Sequence, residues 1–429
     1  MKMRLHQFEL PLAHPFTISR GTITSQPTLI VELCDDTWSG FGEATANDYY
    51  GHTCESMIEG LERHRETIEN AVWETPAELW SLTAKLPGLS SFAQCAVDLA
   101  AHDLWGKRQG RSTLEALGGS FDWPRPSSNF TIGLDSIPRM IEKLRETPDW
   151  PCYKIKLGTP EDVEIVRRLR EVTDAPFRVD ANGGWTVEEA LEKIPRLEQL
   201  GVELIEQPLA EGEMHLVGQV ARSTSLPVVA DENCQVEGDV AACAQSGFTG
   251  INIKLVKCGG LTSARRMIAE ARDLGLKVMV GCMTESSVGI SAIAQLLPLI
   301  DFVDMDCGLA GSRRGRRSPS RTRHLPLRFT GGQFRGAVDR LGLAQVVPAV
   351  DRALDAEPVA GKNAKQRFHN ISQVYIPKII FRWAIRHLAA AARPCVNFPA
   401  RLVPRSTAGL ASKFEECGTN GRDVDRKGG

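Results

Sequence analysis

No uninterrupted apolar run in this sequence reaches the about 18 residues that a membrane-spanning helix needs. The nearest stretch, Ile379–Ala392, is broken by Arg382, Arg386 and His387. The opening residues Met1–Leu10 lack the continuous apolar core of a secretory signal, so a cytoplasmic protein is expected. The 11 cysteines are scattered from Cys34 to Cys417 with no C-x-x-C pair, and the 9 histidines form no H-E-x-x-H. These absences argue against a disulfide framework or a zinc site, and for reduced, buried thiols. No G-x-G-x-x-G follows the first strand of the α/β section, which weakens a dinucleotide-binding reading.

What is present suffices for a large core. Over 429 positions, 42% hydrophobic and 24% charged residues are ordinary for a globular chain. The net charge of −2 hides a division. Residues 307–429 carry 23 Lys and Arg against 8 Asp and Glu, whereas residues 1–306 carry 28 against 45. An acidic body and a basic tail need separate readings. Gly311–His324 is an arginine-rich run that cannot bury a core, and Gly336–Leu354 and Tyr375–Ala392 show helical spacing without the rhythm of the body. The abrupt reversal fits a frame-shifted or foreign C-terminus.

Residues 1–125 read as an α+β unit. Thr28–Leu33 is a β-branched run, Gly40–Ala44 follows a turn, and helical spacing is clearest over Cys95–Trp105 before Gly118-Gly119 ends it. From 126 to 306 short strands alternate with helices. The strands are Asn129–Leu134, Tyr153–Leu157, Phe177–Asp180, Leu204–Glu206, Val228–Asp231, Gly250–Leu255, Lys277–Cys282 and Phe302–Asp306. Among the helices, Glu161–Val172 has Thr159 and Pro160 as N-cap and first position. Eight such units predict an α/β fold: a (β/α)8 barrel of the TIM type behind an N-terminal α+β domain, with the atypical basic tail appended. An open doubly wound sheet shares the alternation but lacks its glycine fingerprint here.

Charge falls inside these apolar strands at their C-terminal ends: Lys154 and Lys156, Asp180, Glu206, Asp231, then Lys254, spaced 24, 26, 25 and 23 residues from Lys156 onward. Strand C-termini of a barrel open on one face, where active sites of this architecture lie. Three carboxylates there repel one another unless a cation sits between them. All-oxygen ligands suit a hard divalent ion, Mg²⁺ best, at one per site. The competing account is a network of surface ion pairs. Lysines flanking such a site become useful bases when a neighbouring cation and desolvation lower their pKa. Lys156 and Lys254, across the mouth from each other, can then remove and return a proton on opposite faces of one carbon. Lys257 reads as a solvated residue at the start of the next helix. Asp304 and Asp306 share one face of the last strand.

These residues resemble the enolase superfamily, and within it the muconate-lactonizing subgroup, over about residues 1–306. Lys154-Ile155-Lys156 is similar to the K-x-K of strand two, Asp180 with Asn182, Glu206-Gln207-Pro208 and Asp231-Glu232-Asn233 to the metal-ligand strands, and Ile251–Lys254 to the opposing base strand. Gly42-Glu43-Ala44, Tyr50–Thr53 and Asp98–Trp105 resemble the capping domain, whose early loops close over substrate. Asp304-Met305-Asp306 resembles the D-x-D that binds the substrate ammonium in dipeptide epimerases, Met283–Ser286 is epimerase-like, and Arg20 matches an arginine that contacts a glutamate side chain. The resemblance implies a Mg²⁺-dependent dipeptide epimerase. Asp180, Glu206 and Asp231 would hold the metal, Lys156 and Lys254 would exchange the proton through an enolate, Lys154 would support it, and Asp304, Asp306 and Arg20 would bind substrate. A cycloisomerase or an o-succinylbenzoate synthase-like enzyme uses the same scaffold without an ammonium anchor. A different class of reading is an inert barrel with a basic tail on nucleic acid. The tail has no interleaved aromatics to favour that. The expected partner is therefore a small-molecule dipeptide, with neither membrane nor nucleic acid, and a homo-oligomer is compatible.

Overall fold

The structure, a computed structural model, describes residues 1–18, 21–120, 126–148 and 150–306. Arg20 and the basic segment 307–429, with its arginine run and its two helical stretches, lie outside the described residues. The first domain is an antiparallel sheet of β1 (Lys2–Ile18), β2 (Gly21–Cys34) and β3 (Ser39–Thr45), in that order. Helices α1 (Cys54–Arg63), α2 (Arg65–Glu69), α3 (Pro76–Thr83), α4 (Ser91–Arg108) and α5 (Thr113–Ala116) follow. Thr53 and Ser56 form a reciprocal cap that starts α1, and Ser90 accepts from Ala93 N to start α4. Helix α4 lies directly on β3. A Cβ at Gly40 or Gly42 would sit 2.1 Å from Ala100 O or Ala96 O, so only glycine allows backbone to meet backbone there.

The second domain is an eight-stranded parallel sheet of β4 (Phe130–Ile132), β5 (Tyr153–Lys156), β6 (Phe177–Asp180), β7 (Val202–Glu206), β8 (Val228–Ala230), β9 (Gly250–Ile253), β10 (Lys277–Gly281) and β11 (Phe302–Asp304), paired in sequence order. A parallel bridge between Ser128 and Val303 joins the first strand to the last, and the barrel closes. The helices between strands are α6 (Ile137–Glu146), α7 (Asp162–Arg170), α8 (Val187–Gln199), α9 (Val217–Ala221), α10 (Asp239–Ser246), the short α11 (Leu255–Cys258), α12 (Leu261–Asp273) and α13 (Ser287–Ala294). The start of α7 differs from the sequence expectation. Thr159 Oγ1 accepts from Glu161 N (3.2 Å), as a cap would, but the helix proper begins only at Asp162. The buried Asp162 carboxylate gathers Gly158 N, Thr159 N and Oγ1, Trp185 Nε1 and Lys193 Nζ, and this many-partnered loop sets where the helix starts.

Inside the barrel, Leu204, Val229 and Met279 pack with Phe302 and plug the bore below the mouth. Above this plug, parallel register sets Lys156 beside Asp180 and Asp180 beside Glu206. At the rim, Leu134 N donates to Thr17 O at 3.1 Å, so the β1–β2 hairpin leaves the first domain beside the first barrel strand. All the described cysteines are buried. Among the described residues no helix is long and apolar enough to cross a membrane.

Candidate active site

Asp180 and Glu206 end β6 and β7, and Asp231 follows β8 directly. Their carboxylate oxygens lie within 4.8 Å of one another, and all three residues are buried. Two residues just past these ligands take left-handed backbone, Asn182 at φ 45° and Gln207 at φ 38°; such strain persists only where the surroundings over-determine it. Gln207 shows how. Its Oε1 accepts from Asp231 N (3.0 Å) and Asn233 N (3.3 Å) while its Nε2 donates to Asn233 Oδ1 (2.6 Å), tying the end of β7 to the end of β8.

Lysines surround the carboxylates. Lys156 Nζ donates to Asp180 Oδ2 (2.7 Å) and Asn182 Oδ1 (3.2 Å). Lys154 Nζ lies 3.1 Å from Asp180, 2.7 Å from Glu206 and 3.2 Å from Asp304. Lys254 Nζ donates to Asp231 Oδ2 at 2.6 Å. β5 and β9 are the second and sixth of eight strands, so Lys156 and Lys254 face each other across the mouth. Lys257 is the correction. Far from being solvated, it is buried and donates to Asp231 Oδ1 (2.8 Å) and to Asp231 O (2.5 Å). The one-turn helix α11 turns its side chain back toward the barrel, a placement that spacing along the chain could not reveal.

Burial disfavours charge on Asp180, but Lys156 and Lys154 outweigh it and hold the carboxyl well below the usual range. Asp231 is held low in the same way by Lys254 and Lys257. Glu206 goes the other way: burial first, then the crowding of Asp180, push it up to about 7. Its Oε1 accepts from Asn252 Nδ2 (2.8 Å), while its buried Oε2 receives no hydrogen bond, only the nearby charge of Lys154. Three converging buried carboxylates, one of them destabilised as an anion, fit a hard divalent cation with all-oxygen ligands. Lys154 and Lys254 do not show the lowered pKa that the sequence reading gave to lysines flanking such a site. Burial pulls Lys154 and Lys254 down, but the carboxylates against them prevail and raise both.

The last strand brings Asp304 and Asp306 to the same mouth, both buried and grouped with Cys282. Asp304 Oδ1 accepts from Asn129 Nδ2 (2.8 Å), and Asn129 Oδ1 accepts from Arg178 in the bore (3.1 Å). Asp306 accepts from Thr131 N. Burial and Asp304 push the Asp306 carboxyl up to about 7.

The capping domain reaches the mouth as well. Asn47 contacts Met283 Sδ at 3.7 Å, and the half-buried Tyr50 lies in the field of Asp231 and Lys254. Glu43 of β3 caps α13 from across the interface. It accepts from Ser286 N (2.9 Å), Ser286 Oγ (2.6 Å) and Gly289 N (2.9 Å), which fixes the loop Met283–Ser286. The sequence reading had Glu43 only within the Gly42-Glu43-Ala44 motif and Asn129 only at the start of a strand, and gave neither a role, because an acid in a capping strand and an amide before a barrel strand are common features.

A closed barrel whose mouth holds a carboxylate triad between opposed lysines, roofed by a separate α+β domain, defines a class of cation-assisted lyases and isomerases. The chain belongs to the enolase superfamily, in its mandelate racemase and muconate lactonizing enzyme branch. Residues 2–118 match the "Mandelate racemase / muconate lactonizing enzyme, N-terminal domain" and residues 138–343 match "Enolase C-terminal domain-like". The second match runs past Asp306, where the sequence pattern alone had stopped. The chain is 50% identical over 309 residues to an L-Ala-D/L-amino acid epimerase of Flavobacterium johnsoniae, covering 72% of this chain and 91% of the relative. It is similar to the substrate-liganded L-Ala-D/L-Glu epimerase of Bacillus subtilis (26% identity, 73% and 92% of the two chains, TM-score 0.68). It is also similar to a dipeptide epimerase of Enterococcus faecalis complexed with Mg and L-Leu-L-Tyr (27% identity, 73% and 91%, TM-score 0.68).

Proposed function

We propose that this protein is a Mg²⁺-dependent dipeptide epimerase, inverting the Cα of the C-terminal residue by a 1,1-proton transfer. The carrying observation is the buried triad of Asp180, Glu206 and Asp231 with Lys156 and Lys254 on opposite sides of it. Relatives of 50% and 51% identity named L-Ala-D/L-amino acid epimerase support the reading. A single Mg²⁺ held by the triad supplies Lewis acidity to the substrate carboxylate and so acidifies the Cα–H.

The chain's own groups do the rest. With the triad's charge engaged by the metal that Asp180, Glu206 and Asp231 would hold, burial would lower the pKa of Lys254, which the carboxylates now raise. Lys156 and Lys254 then serve as base and acid on opposite faces, exchanging roles with the direction of reaction. Lys154, against Asp180 and Glu206, stabilises negative charge as it develops on the substrate oxygens. Asp304 and Asp306 receive the α-ammonium, and Arg20, between the ends of β1 and β2, contacts the substrate side chain. The depth from triad to ammonium anchor selects dipeptides over single amino acids.

The test is a panel of L,L- and L,D-dipeptides against N-blocked and amine-free acids, with Mg²⁺, followed by NMR in heavy water. Epimerisation with α-proton exchange only on substrates bearing a free ammonium is expected. Turnover of an amine-free acid with none on any dipeptide would replace this reading with a cycloisomerase or dehydratase.

A further inference from the structure

Lys254 is carried on a segment whose far end is gripped by the capping domain. It precedes the one-turn helix α11, which is followed by Gly259 (φ 87°) and Gly260 (φ 113°) before α12 begins. Besides the turn's own bonds to Leu255 O, side chains of the first domain grip that glycine pair. Trp80 Nε1 of α3 donates to Gly259 O at 2.9 Å. Asp98 of α4, wholly buried, accepts from Thr262 N (3.0 Å) and Thr262 Oγ1 (2.7 Å), capping the first turn of α12 from another domain. A Cβ on Gly260 would lie 2.4 Å from Asp98 Oδ2, so the glycine exists to let this carboxylate approach. His102 Nε2, one turn along α4, meets the same threonine hydroxyl at 3.0 Å. Within the segment so held, Lys254 and Lys257 both contact Asp231.

We infer that Asp98 is a positioning residue for one face of the reaction: through Thr262 and the Gly259–Gly260 turn it sets the placement of Lys254, and not that of Lys156. The inference rests on the proposed epimerase reading and deepens it. Lys156 stands on β5, opposite, and among the described residues its hydrogen-bond partners are Asp180 and Asn182, both on the barrel. A short rigid helix transmits displacement of its C-terminal turn to the lysine at its head, whereas strands across the barrel are insulated by the interior packing. The capping domain therefore roofs the pocket and also registers one of its two acid–base groups.

The experiment compares Asp98→Ala and Asp98→Asn with Leu61→Ala, a control that opens a hole in the capping core remote from the turn. α-Proton exchange in heavy water is measured for both epimers of a dipeptide substrate, and Lys254→Ala identifies which epimer that lysine serves. Asp98→Ala should slow exchange of that epimer by about tenfold or more, since small misplacements of a reacting group are costly, and leave the other epimer's exchange nearly unchanged. Asp98→Asn, which keeps the shape and one acceptor oxygen, should recover most of the loss. Should Asp98→Ala not fold, Thr262→Val removes the hydroxyl end of the same contact and carries the same expectation. Equal losses on both epimers, the pattern expected of Leu61→Ala, or no loss at all, would overturn the inference. If the unaltered protein exchanges neither epimer, the epimerase reading falls first and this inference with it.

Discussion

The amines and carboxylates at the mouth satisfy one another so closely that each role rests on which partner is removed. Lys156→Ala and Lys254→Ala should each depress epimerisation by about a thousandfold, within the range typical of a lost general acid–base group. Each should retain exchange of the one epimer whose proton faces the surviving lysine, as read by NMR in heavy water. Loss of exchange on both epimers in either variant would refute the two-base assignment. Much of this arrangement was legible beforehand, because strand side chains alternate with a period of two and βα units recur at near-constant length. Lys257 was not. Its link to Asp231 spans 26 residues of sequence and depends on how a one-turn helix folds back. Asp304 was legible as an acid facing the mouth, but its fastening by Asn129, 175 residues earlier, was not.

At the scale of elements, the contact between β3 and α4 determines where the roof sits. Gly42→Val would drive a side chain into Ala96 O, and its first atom alone would lie 2.1 Å away. A loss of about 3 kcal/mol is expected from overpacking at this site, measured by urea unfolding. An unchanged midpoint would show that the helix stands off the sheet. Strand positions in the barrel were readable from β-branched runs bounded by turns, and the eight observed barrel strands fall within or within two residues of the expected spans, whereas β2 begins seven residues before the expected Thr28–Leu33. The start of α7 was misjudged because Asp162 recruits partners from Trp185 and Lys193, which local sequence does not contain. The cap that Glu43 places on α13 was hidden for the same reason, at a separation of 243 residues.

For the whole molecule, stability should depend on pH and on cation. Burial and Glu43 push the Glu285 carboxyl up to about 8 from its ordinary 4.5. Between those values the unfolded chain has released a proton that the folded chain keeps. The contribution of this group is therefore full below about pH 4.5 and is lost as pH rises toward about 8. Unfolding free energies measured across that window should fall less steeply in Glu285→Gln than in the unaltered protein; parallel slopes would refute the assignment. Mg²⁺ binding only the folded state should stabilise it by about 2.7 kcal/mol at a hundred times its Kd. Calorimetry should show Tm rising with Mg²⁺, falling back with chelator, and insensitive to both in Asp180→Asn. A Tm indifferent to Mg²⁺ in the unaltered protein would remove the cation from the account.

Sequence alone determined which strand-borne side chains reach the barrel mouth, since alternation along a strand and the regular return of the chain leave little freedom in what a strand end presents. Only the tertiary structure decided how those side chains are held: which lysine grips which carboxylate, and which acids of the first domain cap helices of the second. Such pairings join residues far apart in the chain, and their energies depend on burial and distance, quantities that come into being only when the two domains close on each other.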